Sequence, residues 1–103
     1  MGNTYVDELE SKFELLLMHL LKWKYQTRLQ SRSWQLTIKE QRFRIKKRLK
    51  KMPSLKSKLP ELFLEAYETA VFIAINETDL DESTFPKKCE WTIEHALDND
   101  FLP

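Results

Sequence analysis

Between Val6 and Trp23 apolar residues recur at three- and four-residue intervals, as Val6, Leu9, Phe13, Leu16, Leu20 and Trp23. That spacing lays them along one face of an α-helix about five turns long. Leu15, Leu17, Met18 and Leu21 carry the apolar surface round the middle of the helix, which therefore needs cover on more than one side and is predicted to be the central element. One glycine and four prolines in 103 residues leave few sites for the tight turns of an all-β fold. A 42% apolar, 12% aromatic composition excludes a disordered chain. The expectation is an all-α fold and a single helical domain over residues 1–103. It takes the form of a three-helix bundle with a short fourth helix in a wrapping C-terminal tail.

Helix boundaries follow from caps and prolines. Thr4 is placed to cap the first helix, with Asp7, Glu8 and Glu10 at the positive end of its macrodipole. The periodicity lapses over residues 26–30, after which Ser31 or Ser33 can cap a second helix starting near Trp34. Trp34, Ile38, Ile45, Leu49 and Met52 form its narrow buried edge, and Pro53 stops it. Pro60 suits the first position of a third helix reaching about Asn76, with Leu62, Phe63, Ala66, Tyr67, Ala70, Ile73 and Ala74 inward. Beyond it Pro86 breaks the chain, Thr92 caps a short helix to Leu97, and Phe85, Trp91, Ile93, Leu97, Phe101 and Leu102 are predicted to pin the tail down.

The net charge of +1 conceals a separation along the chain. Residues 1–21 carry one Lys and four acids, residues 22–58 fourteen Lys or Arg against Glu40 alone, and residues 59–103 two Lys and eleven acids. The outward face of the second helix is therefore strongly basic. Arg28, Arg32, Lys39, Arg44, Lys46, Lys47, Lys50 and Lys51 are candidates for contacting the phosphates of a nucleic acid. The alternative is that the acidic C-terminal half neutralises them within the fold, and no helix-turn-helix or RNA-binding signature accompanies them.

Several stretches together resemble the domain of unknown function 29 family. They are His19 through Gln26 with its Trp23, Ser31 through Arg42 with its Trp34, Ala66 and Tyr67, Glu77 and Thr78, Phe85 and Pro86 with Cys89, Leu97 and Asp98, and the closing Phe101, Leu102 and Pro103. The resemblance implies an all-helical fold and carries no agreed activity, substrate or cofactor. Relative to that family the chain is read as a short form without the usual acidic N-terminal segment, and Glu90 follows Cys89 where the family often has Pro.

The remaining features bound the function. No apolar run approaches the roughly eighteen residues of a membrane span, and the polar, acidic start lacks a signal peptide's basic end and apolar centre. No membrane association and a cytoplasmic location are expected, with the lone Cys89 a buried small hydrophobe. No metal or cofactor site is predicted. His19 and His95 lie far apart in sequence, and Asp79, Asp81 and Glu82 lack the glycine and terminal Glu of a calcium loop. His19, Glu40 and Arg42 could meet if the first two helices pair antiparallel, giving either a small hydrolytic pocket or a salt-bridged cluster that fixes helix register. No nucleophile motif accompanies them. The first reading is thus a helical interaction module that binds a protein partner or itself. As a twofold dimer it would use Leu15, Leu17, Met18 and Leu21 of the first helix and Val71, Phe72 and Ile75 of the third.

Overall fold

The computed structural model describes residues 4–103, which form helices α1 (Thr4–Tyr25), α2 (Arg32–Lys51), α3 (Leu59–Thr78) and α4 (Ile93–Leu97). Short 3₁₀ turns at Thr27–Leu29, Pro53–Lys58 and Glu82–Thr84 link them, and all regular structure among the described residues is helical. Ser31 caps α2 by accepting from the Trp34 backbone N–H at 3.2 Å, so the helix starts two residues before Trp34. Thr4, expected as the cap of α1, is already its first helical residue. Helix α3 runs past Asn76 to Thr78, where Asp79 takes a left-handed φ of 58°. The Thr78 hydroxyl donates to the Ala74 carbonyl at 2.6 Å and accepts from Leu80 N at 3.3 Å, which satisfies the last turn locally.

Helix α1 is the shared neighbour of α2 and α3, and its most extensive contact is with α3. Alanines at 66, 70 and 74, all 0% exposed, form a stripe of small residues on the buried side of α3. Phe13 meets Phe63 edge-on at 5.8 Å. Ile38, Ile45 and Leu49 contribute the α2 side of the same core.

The apolar middle of α1 is covered within one chain. Leu17 is 0%, Leu21 1% and Met18 7% exposed, and Leu15 is half-buried against the core. Leu17, Met18 and Leu21 therefore offer no surface to a second copy in this fold. What stays open on α3 is Phe72, 67% exposed, and Leu64, 64% exposed, with Val71 and Ile75 half-buried. The buried edge of α2 also differs from expectation: Trp34 and Met52 are half-buried, while Gln41 and Arg42 are buried.

The tail wraps the bundle through specific contacts. The Tyr67 hydroxyl donates to the Pro86 carbonyl at 2.6 Å, and Tyr25 packs edge-on to Phe85 at 5.4 Å. Thr92 and His95 form a capping box that starts α4, His95 stacks on Phe101 at 5.3 Å, and Trp91 meets Phe101 at 6.2 Å. Leu102, at 41% exposed, does not share in the anchoring.

Candidate interaction surfaces

The eight basic candidates, Arg28, Arg32, Lys39, Arg44, Lys46, Lys47, Lys50 and Lys51, all face solvent. Among the described residues, the ion pairs that reach α2 are Arg44 to Glu40 at 3.7 Å within the helix and Arg48 to Glu8 of α1 at 3.4 Å. Acids of the C-terminal half pair instead with α1, as Lys22 to Glu77 at 3.1 Å and Lys24 to Glu90 at 3.0 Å. On α2 the tail reaches Lys46 only through the neutral Asn99 amide oxygen, at 3.4 Å. Among the described residues the acidic half therefore supplies no carboxylate to the basic face. Cations three and four residues apart on a helix cost about 0.2–0.5 kcal/mol per pair in the bare chain, a repulsion that an anionic partner would remove.

The exposed face of α2 is a ridge between two cationic rows. Leu36 and Phe43, 51% and 57% exposed, stand two turns apart on the ridge. On one side Arg44, Lys47, Arg48 and Lys51 join Lys12 of α1 in lining a cleft of about 260 Å³. On the other Lys39 borders a cleft of about 410 Å³ shared with Gln35, Asn99 and Leu102, with Arg42 at its floor. Helix α3 presents the opposite character, with Leu64 and Phe72 exposed among exposed Glu61, Glu65 and Glu68. Its acidity continues onto α1, where burial, and then the neighbouring Glu65 and Glu14, push the Glu10 carboxyl above the usual range.

His19, Glu40 and Arg42 are not brought together: no hydrogen bond or ion pair joins any two of them. The His19 Nδ1–H donates to the Leu15 carbonyl at 2.9 Å, and burial holds the imidazole below its ordinary pKa. Glu40 is exposed and pairs with Arg44. Arg42, two residues on, turns inward and is 2% exposed. Its Nε and Nη2 donate to the carbonyls of Ala96 and Phe101, each at 2.7 Å, so it latches α4 and the tail end onto α2. Burial lowers its pKa and the nearby Asp98 opposes that shift. Neither a catalytic triad nor an Arg42–Glu40 pair is formed. Positions 41 and 42 fall between Ile38 and Ile45 at helical spacing, on the inward side, but an arginine there is ordinarily assigned to solvent, and its carbonyl partners lie far along the chain.

A cleft of about 730 Å³ lies between α3 and residues 81–87 and is lined by Tyr67, Glu68, Val71, Ser83, Phe85 and Lys87 among others. Its hydroxyls are engaged: Ser83 donates to the Asp81 carboxylate, and Tyr67, which burial makes a weaker acid still, donates to Pro86. Among the described residues no group of three or more His, Cys, Asp or Glu is placed to hold a metal ion, and no helix is long and apolar enough to cross a membrane. Cys89 is half-buried against the core, and burial pushes its thiol up against the opposing backbone hydrogen bond from Trp91. Alkylation of the native chain at pH 8 is accordingly expected to run at least ~10-fold slower than that of the urea-unfolded chain. Equal rates would show that the thiol is open to solvent.

The chain belongs to the family described as Domain of unknown function DUF29, whose model matches residues 1–102. No curated protein and no solved structure matches it.

Proposed function

We propose that this member of the family is a cytoplasmic interaction module whose 103 residues act as one unit, and that its partner is another copy of itself met head to tail. The supporting observation is the pairing of two dissimilar exposed faces: α2 carries Leu36 and Phe43 among lysines and arginines, α3 carries Leu64 and Phe72 among glutamates. The apolar pairs are seven and eight residues apart, about 10.5 and 12 Å along their helices, so one can lie against the other with unlike charges alongside. Such a contact joins different patches on the two copies and continues into a ring or a chain, unlike a twofold dimer.

Light scattering at low salt should give a mass that rises above the 12.4 kDa of one chain with concentration. Phe43→Glu on α2 and Phe72→Lys on α3 should each give monomers alone, yet an equimolar mixture should form a dimer, because each variant retains the face the other lacks. A wild-type chain that stays monomeric from micromolar to millimolar concentration at low salt overturns the proposal.

Nucleic acid is a second reading, favoured by the eight exposed cations of α2 and its flank. Duplex binding that weakens steeply between roughly 50 and 200 mM salt, by a chain that remains monomeric, would select it.

A further inference from the structure

The row of α2 that faces α1 has a feature beyond the charge it lends to the apolar ridge. Arg44, Lys47, Arg48 and Lys51 occupy positions i, i+3, i+4 and i+7, so they stand in one stripe over two turns, and Lys12 of α1 faces them across the cleft of about 260 Å³. The five cations are answered by Glu40 and Glu8, each at the long end of an ion pair, 3.7 and 3.4 Å, and both exposed. Lys12, Lys47 and Lys51 have no carboxylate within ion-pair distance among the described residues. The cleft therefore concentrates a net positive charge where two helices meet.

Two of the cations are also held in place. Arg48 lies 5.2 Å over the Tyr5 ring while it reaches Glu8 at 3.4 Å, and Lys47 lies 5.9 Å over the Phe43 ring. A cation positioned by its neighbours loses less freedom when an anion arrives. Arginines and lysines in one concavity match closely spaced phosphate oxygens, which accept from guanidinium forks and ammonium groups together. The lining is five long basic side chains with no aromatic wall, so it offers charge without a platform for stacking a base.

We propose that the cleft between α1 and α2 is a binding site for clustered phosphates on a compact anion of the polyphosphate kind. The confined geometry favours such a ligand over a nucleic acid, whose phosphates are spread along an extended track.

Titration calorimetry of the full chain with sodium tripolyphosphate, with inorganic monophosphate and with a mixed-sequence single-stranded oligonucleotide tests this. Tripolyphosphate should bind at a single site at low salt, at least ~10-fold more tightly than monophosphate, and should compete effectively with the oligonucleotide. Arg48→Gln and Lys51→Gln should each weaken it about tenfold, while Lys39→Gln and Lys46→Gln, on the opposite row, should leave it unchanged. Lys39, Lys46 and Lys51 are exposed and Arg48 is half-buried, and circular dichroism establishes that each variant is folded. No saturable binding at low salt, equal losses from both rows, or preference for the oligonucleotide would each overturn the proposal. The head-to-tail contact is separable from this result, since a Phe72→Lys monomer leaves all five cations of the cleft in place.

Discussion

Replacing Arg42 by Ala is expected to cost the fold on the order of 2–6 kcal/mol, because two carbonyls in the tail, those of Ala96 and Phe101, would each lose a donor worth about 1–3 kcal/mol when left unsatisfied. A domain of this size has roughly 5–15 kcal/mol in all, so the loss is a large share of it. The effect should be concentrated in the tail. Helices α1, α2 and α3 share a core that does not depend on the latch, whereas Trp91, His95 and Phe101 are held near α2 by it. Limited proteolysis should therefore cut within residues 79–103 well before the bundle melts, and the urea midpoint should fall with it. Arg42→Lys keeps the charge but not the fork that reaches two carbonyls at once, so it should recover only part of the loss. A change in stability below about 0.5 kcal/mol, the scale of an ordinary surface substitution, would mean the latch is ornamental.

The same residue shows where sequence reasoning stops. The α1 stripe, the serine cap of α2 and the Thr92 start of α4 were legible because apolar spacing and capping chemistry act locally. The inward turn of Arg42 was not, since its reason lies more than fifty residues away, in the Ala96 and Phe101 carbonyls of the tail. The cluster of His19, Glu40 and Arg42 dissolved for a related reason. Residues two apart on a helix point to different sides, so Glu40 reaches solvent when Arg42 faces the core. The charge blocks could be counted from sequence but not paired. Only the fold shows that Glu77 and Glu90 answer lysines of α1, so that among the described residues the ion pairs of α2 are those with Glu40 and Glu8.

Leu17→Asp and Phe72→Asp, both in helices whose apolar residues run round most of the circumference, should behave oppositely. Leu17 is 0% exposed and is covered by its own chain. Truncating a leucine of that kind costs about 3–5 kcal/mol, and a carboxylate in its place must also be taken from water with no partner to receive it, which costs more again. Leu17→Asp is therefore expected to unfold the chain at 25 °C or leave it barely stable, with loss of helical circular dichroism at 222 nm. Phe72 is 67% exposed, so Phe72→Asp removes little packing within the chain and should keep both helicity and urea midpoint within about 0.5 kcal/mol of the parent. Any association through α3 should be lost with it, since the aromatic side chain would no longer be offered to the cationic ridge. A folded, monomeric Leu17→Asp variant would contradict the burial of α1 and restore that helix as a contact surface. An unfolded Phe72→Asp variant would instead show that the outer face of α3 is needed within the chain and is not free for a partner.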